Sequence, residues 1–291
     1  FLATFDGNNI NTHDNTNTVA MDNVSPPSTL INLEEEIVKA KQYVNSISST
    51  DRKLLFVHIP KSAGTTIEDV GATQARLAWG SCLFNHKPKR KVCKSLYPNE
   101  FEWPMKVGYW HLPPHLFQGN IMGSNPYKDA DLFAIVRDPR DRLLSEFYYV
   151  CRKKIKPKYW DVVDCNRTRV HEPEYLNQWL QRELSSTPAT SDQYSSPNHW
   201  LFRNGHFTPQ YEFIVSPTQQ RIVDYVLNMD KLDDQFDLLM NAYDIKATMP
   251  AHKHNVARND TRDLVSDHID DTTNLLIEQK FKKDFLFFPA K

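Results

Sequence analysis

No apolar stretch in these 291 residues exceeds strand length, so no transmembrane helix lies within the chain. Charge of one sign is also missing. The 35 Lys and Arg nearly balance 36 Asp and Glu, for a formal net charge of −1. That balance provides no global field to mark nucleic acid as a partner, although local basic patches remain. Cysteine is scarce: Cys82, Cys93, Cys151 and Cys165 are the whole set, and none stands in Cys-x-x-Cys spacing. A zinc site is therefore poorly supported, and no metal is expected. No internal repeat is visible, nor any low-complexity tract beyond the first 29 residues. The Gly-x-x-x-x-Gly-Lys-Ser/Thr pattern of nucleoside triphosphatases is absent, which argues against a nucleotide kinase or a GTPase.

Composition is otherwise ordinary for a globular protein, with 40% hydrophobic and 24% charged residues. Residues 1–29 are rich in Asn, Thr and Asp, include Pro26-Pro27, and read as a disordered stem or linker ahead of a folded domain over 30–291. Leu33, Ile37, Val44 and Ile47 predict an amphipathic helix over 32–48. Residues 53–59 read as a strand, apolar over Leu54–Val57 and again at Ile59, as a strand buried on both faces of a parallel sheet should be. A helix is expected over Thr65–Ala78, then a basic, irregular lobe over 80–104. Val107–His115 reads as a short strand running into a turn. Further on come a helix at Glu174–Leu184, a ligand-side loop around 198–207, and a helix start with a capping box at Ser216-Pro217-Thr218-Gln219. A late strand at Tyr225–Leu227, helices at Leu232–Tyr243 and Asp271–Lys282, and a docking segment at Phe285–Phe288 complete the chain.

Two segments carry chemistry. In the first, Phe56-Val57-His58-Ile59 runs into Pro60-Lys61-Ser62-Ala63-Gly64-Thr65-Thr66 and a helix start. A cation, small residues, a Gly and three hydroxyls at a strand-to-helix turn suit an anion, because main-chain N–H groups and the helix dipole both favour negative charge there. In the second, a strand over Leu132–Val136 ends at Arg137. Asp138 caps the next helix, Pro139 takes its first position, Asp141 puts an acid in its first turn, and Ser145 lies about two turns in. A strand's carboxyl end is where parallel α/β sheets bind ligands. There Arg137 can make a forked pair with a phosphate, and Ser145 can add a hydroxyl donor.

The first segment resembles the 5′-phosphosulfate loop of sulfotransferases that use PAPS (3′-phosphoadenosine 5′-phosphosulfate). The second resembles their 3′-phosphate motif, Arg-Asp-Pro-x-x-Arg-x-x-Ser. The nearer likeness is to the Golgi carbohydrate branch, which includes the uronyl and heparan sulfate 2-O-sulfotransferases. It spans roughly residues 53–288. The resemblance implies a single α/β domain, a central parallel sheet flanked by helices and related to the P-loop kinases. It also implies in-line transfer of a sulfuryl group from PAPS to an acceptor hydroxyl, most simply on a glycan, leaving adenosine 3′,5′-bisphosphate.

On that basis Lys61, Ser62, Ala63, Gly64, Thr65 and Thr66 are expected around the 5′-phosphosulfate, with Lys61 stabilising the leaving phosphate, and Arg137 and Ser145 on the 3′-phosphate. His111, just after an aromatic stretch and between the two motifs, matches the branch's base. The branch has a close His pair; here Leu112-Pro113-Pro114 separates His111 from His115. His58 is read as structural and Glu102 as a fallback base. Trp200, Phe202, Arg203 and Lys253 are softer cofactor candidates, and Lys87-Pro88-Lys89-Arg90-Lys91 could face an anionic glycan.

Of the three ways to pair four cysteines, the sequence-local Cys82–Cys93 and Cys151–Cys165 are favoured. With the sequons at Asn23, Asn166 and Asn259 they point to a secretory lumen, expected to be the Golgi, with membrane attachment through an anchor outside this chain. Two other readings stay open: a sulfotransferase of small-molecule or lipid alcohols, and a non-catalytic protein that binds anionic glycans. The acceptor and the oligomeric state are not legible.

Overall fold

Alternation along one strand sorts the protein into two layers. In β2 (Ala130–Val136), Leu132, Ala134 and Val136 enter one core, and Phe133 and Ile135 enter the other. The computed structural model describes residues 53–84, 93, 108–120, 125–152, 165–186, 202–251 and 263–288. Three strands, in the order β1 (Lys53–Val57), β2 and β3 (Tyr225–Asn228), form a wholly parallel sheet. Val57 pairs with Ala134, and Val136 with Asn228, so all three strands end at one edge.

The first core packs α1 (Gly64–Val70) and α6 (Leu232–Ala242) on the sheet through Ile67, Val70, Phe236, Leu239 and Met240. Trp79 is fully buried there, its indole N–H donating to the Leu54 carbonyl at 2.8 Å. Each such side chain contributes about 1.5–3 kcal/mol by leaving water. The second core joins the other sheet face to Tyr109, Leu112, Phe117 and α5 (Gln210–Ile214). A third forms where α3 (Pro139–Arg152), α4 (Pro173–Ser186) and α7 (Asp271–Lys280) meet around Leu143, Phe147, Trp179, Leu180, Ile277 and Phe281.

The architecture is the expected single α/β domain around a parallel sheet. Asp138 caps α3 as anticipated, its Oδ1 accepting from Arg140 N at 2.8 Å. Both expected disulfides are present, Cys82–Cys93 on the short α2 (Ser81–Phe84) and Cys151–Cys165 at the end of α3.

Three local expectations are corrected. Tyr109–His111 forms a single 3₁₀ turn rather than a strand, closed by His111 N donating to Gly108 O at 2.8 Å. Ser216–Gln219 is a tight turn, not a helix start. Ser216 N and O-side groups pair across it, with Ser216 N to Gln220 O at 2.8 Å, and Gln219 is left-handed (φ 61°). The Gln219 side chain accepts from the Tyr211 hydroxyl at 2.9 Å instead of reaching back to cap. The first helix is α only to Val70, then takes a π turn over Gly71–Ala75. The stem, the 32–48 helix, the Lys87–Lys91 cluster, Glu102, Trp200 and Lys253 lie outside the described residues.

Arg142, 1% exposed on α3, ties separate stretches together. Its Nε donates to the Pro60 carbonyl at 3.0 Å, and its Nη2 donates to the His206 and Thr208 carbonyls at 3.0 and 2.9 Å. Its Nη1 lies 4.0 Å from Asp284, a fully buried carboxylate that also accepts from Gln210 N and Tyr211 N. Burial pushes the Asp284 carboxyl up to about 6, against the pull of Arg142 and those amides. Replacing Arg142 by Met leaves a buried acid without its counter-charge and three carbonyls short of a donor. The variant should lose about 3–5 kcal/mol of unfolding free energy, read from urea denaturation.

Candidate active site

Because the sheet is parallel, the turn after β1 and the residue after β2 emerge side by side. Lys61 and Ala63 in the first turn are left-handed, with φ of 68° and 58°. Such residues cost about 1–2 kcal/mol each outside glycine. The turn's side chains divide in two. Lys61, Ala63 and Thr65 are half-exposed; Ser62, Gly64 and Thr66 are buried. The Ser62 hydroxyl points inward, 3.4 Å from Gln210 Oε1. Gly64 is required by its neighbour: a Cβ there would stand 2.3 Å from His58 Nε2.

Arg137 is held from behind. Gln210 Oε1 accepts from Arg137 N at 2.9 Å, and its Nε2 donates to Arg137 O at 2.8 Å, so a side-chain amide extends the ladder one residue past β2. Arg137 Nη1 reaches the Lys61 carbonyl at 3.5 Å. Burial lowers the Arg137 guanidinium from its ordinary value, while Asp141, Asp230 and Asp138 raise it. Ser145 is half-buried on α3, on the same helical stripe as Asp141 and Tyr149. The Lys61 ammonium sits over the Tyr149 ring, 4.0 Å from its centroid, a cation–π contact.

Three imidazoles gather beside this turn. The His111 ring is 4.8 Å from that of His58 and 5.0 Å from that of His206, edge-on to both. The two outer rings are each paired with a buried acid: His58 Nδ1 with Glu68 Oε1 at 2.6 Å, and His206 Nδ1 with Glu146 Oε2 at 2.7 Å. Burial alone raises the Glu68 carboxyl, but His58 and two Ser81 donors outweigh it and hold it below the usual value. Glu146 is likewise raised by burial and pulled lower overall by His206, Lys61 and Arg142. Nδ1 of His111 lies 3.0 Å from the Asn204 carbonyl. Burial, then the neighbouring His58 and His206, push the His111 imidazole well below its ordinary value, with Lys61 adding to the fall and Asn204 opposing it. An imidazole kept neutral in this way holds an unprotonated nitrogen at neutral pH, the state a general base needs.

The structure thus brings Lys61, Thr65, Arg137, Ser145 and His111 to one region. It does not put His115 there: that ring faces Glu212 on α5, and the imidazoles beside His111 are His58 and His206 instead. Arg203 turns to Glu183, 3.2 and 3.1 Å away. Sequence reasoning missed Glu68, Glu146, His206, Asn204 and Gln210. Glu146 carried no clear local signal, because α3 also holds Arg140, Asp141, Arg142 and Ser145. Asn204 and His206 fall in the loop around 198–207 that the sequence places near a ligand, though neither stood out within it, and Gln210 had no signal.

Among the described residues, a parallel three-stranded sheet with an anion-suited turn at its carboxyl edge places the candidate site where α/β proteins bind ligands. A family model for sulfotransferases matches residues 45–289, and the chain belongs to that family. No curated protein and no solved structure matches it.

The lowered His111 value makes a direct prediction. In histidine-labelled protein, one imidazole signal, identified by its loss in His111→Gln, should titrate well below pH 6.5. The unfolded chain takes up that proton near pH 6.5 and the folded chain does not, so this residue's contribution to stability is fully present above about 6.5 and is lost as pH falls.

Proposed function

We propose that the chain transfers a sulfuryl group from PAPS to a carbohydrate hydroxyl, with His111 as base and Lys61 facing the leaving phosphate. The observation that carries this reading is the meeting of Lys61, Arg137 and His111 at one sheet edge, with Arg137 Nη1 3.5 Å from the Lys61 carbonyl. Two cations and a left-handed turn of outward main-chain groups fit a ligand with phosphate at both ends. When bound, PAPS supplies the sulfuryl group and a phosphate leaving group. Lys61, the Thr65 hydroxyl and the first-turn amides of α1 balance negative charge that grows on that phosphate. Arg137 and Ser145 grip the 3′-phosphate and fix the donor's position. His111 takes the acceptor's hydroxyl proton. Ser62 and Thr66, being buried, support the turn from beneath.

A glycan acceptor is favoured by the basic Lys87–Lys91 stretch of the sequence. Two disulfides favour a secretory lumen, with the Golgi as the compartment. The Asn166 sequon supports it too. Asn166 is exposed beside Cys165, and its Oδ1 accepts from Thr168 N and the Thr168 hydroxyl.

Calorimetry with adenosine 3′,5′-bisphosphate, against AMP and ADP, tests the donor site. Binding should need the 3′-phosphate and weaken about 10- to 100-fold in Arg137→Ala, the worth of hydrogen bonds to a charged group. Transfer of ³⁵S from labelled PAPS to desulfated heparan, chondroitin and dermatan should fall about 10²- to 10⁴-fold in His111→Ala and about 10²- to 10³-fold in Lys61→Ala. Full activity in both variants would remove these assignments. Protein secreted from animal cells should carry an N-glycan on Asn166, read as a glycosidase-sensitive mass shift that Asn166→Gln abolishes.

A further inference from the structure

Three consecutive residues, Arg203, Asn204 and Gly205, are left-handed, with φ of 49°, 55° and 78°. Glycine adopts this freely; Arg203 does so under strain, and Asn204 under less. Such strain persists only where the surroundings over-determine it, and it concentrates at functional sites. Here it is pinned from three sides. Arg203 Nε and Nη2 pair with Glu183 Oε2, which is buried on α4, at 3.2 and 3.1 Å. Asn204 Oδ1 accepts from Gly108 N at 3.1 Å, just ahead of the turn that carries His111. Gly205 backs directly onto His111, since a Cβ would stand 2.6 Å from the His111 carbonyl oxygen.

What the strained turn delivers is a contact to one ring nitrogen. The Asn204 carbonyl and the Asn204 Nδ2 both stand 3.0 Å from His111 Nδ1. The Gly108 donor fixes which way the carboxamide points, so its NH₂ end faces the imidazole. Nδ1 can therefore donate to the carbonyl or accept from the amide. Only donation leaves Nε2 as the proton acceptor. Only donation also survives protonation of Nε2 unchanged, because an imidazolium keeps its Nδ1–H. His58, Lys61 and His206 also bear on this imidazole, with Glu68 and Glu146 behind the two histidines, but the contact to Nδ1 comes from Asn204.

We propose that Asn204, held left-handed by the Arg203–Glu183 pair, is a positioning residue that keeps His111 in its Nδ1–H tautomer with Nε2 turned to the reaction. The proposal rests on the reading of His111 as base, and its test stands apart from activity. Nitrogen-15 spectra of histidine-labelled full-length chain, assigned with His111→Gln, read the tautomer directly. Wild type should show His111 as Nδ1–H. Asn204→Gly relieves the φ strain but frees the turn from Gly108. It should stay folded, bind adenosine 3′,5′-bisphosphate as wild type does, and let His111 populate both tautomers. Asn204→Asp keeps an acceptor for Gly108 N and sets a carboxylate beside Nδ1, so the Nδ1–H form should persist and His111 should titrate at higher pH.

An Nε2–H tautomer in wild type overturns the proposal. So does an unaltered His111 in Asn204→Gly, or no upward move in Asn204→Asp. If the tautomer loosens in Asn204→Gly as expected while sulfate transfer to the polysaccharide acceptors is undiminished, the clamp stands and the base assignment falls. If His111 is the base, transfer should drop about tenfold or more, a part of the 10²–10⁴ that general base catalysis supplies.

Discussion

A buried guanidinium joins parts of this protein that the sheet cannot hold. The sheet has three strands and fixes only where the turns after β1 and β2 begin. Arg142 then binds the Pro60 carbonyl of the first turn, the His206 and Thr208 carbonyls of a segment more than sixty residues on, and faces Asp284 near the end of the described chain. A planar fork with five donors can serve three acceptors and a counter-ion at once; a lysine could not. Full burial makes the arrangement stringent, because any partner lost leaves charge in a medium that cannot solvate it. The consequence is functional. Two of those stretches carry Lys61 and His206, and the third, at Asp284, holds the Gln210 main chain, so the strut that stabilises the fold also sets the spacing of the candidate site.

The second organising feature is how charge is parcelled around His111. Two imidazoles beside it are each tied to a buried carboxylate, whereas the central one meets neutral groups of Asn204. Burial and cationic neighbours favour its uncharged form, while the flanking acids find partners without contacting it. Gln210 plays the matching part for Arg137, pairing with main chain so that the guanidinium's own donors face elsewhere. Both His111 and Arg137 are thus positioned through neutral amides, which fix geometry without altering net charge.

The parts of the site legible in the sequence were those built from local rules. Asp138-Pro139 announces a helix start, and continuous apolar runs at 54–57 and 132–136 announce buried parallel strands, so Lys61 and Arg137 could be placed at strand ends from residue order alone. Where local rules failed, a longer-range contact had won. Ser216-Pro217 looks like a helix cap, but Gln219 is taken by the Tyr211 hydroxyl. The aromatic run before His111 looks like a strand, yet Gly108 N is claimed by Asn204, and the chain closes a 3₁₀ turn instead. Gly64 read as a residue of the anion turn, and the fold adds a second demand on it, since a side chain there would run into His58.

By itself, then, the sequence determined the class of fold, the cysteine pairing and the two motifs, because each depends on spacing within about fifteen residues, where periodicity, caps and short loop closure dominate. Tertiary structure alone decided which histidines stand together. His58, His111 and His206 are separated by 53 and 95 residues along the chain, and no local preference links them. Their meeting, and the left-handed turn that presents Asn204 to His111, follow from burial that must satisfy every polar group it encloses.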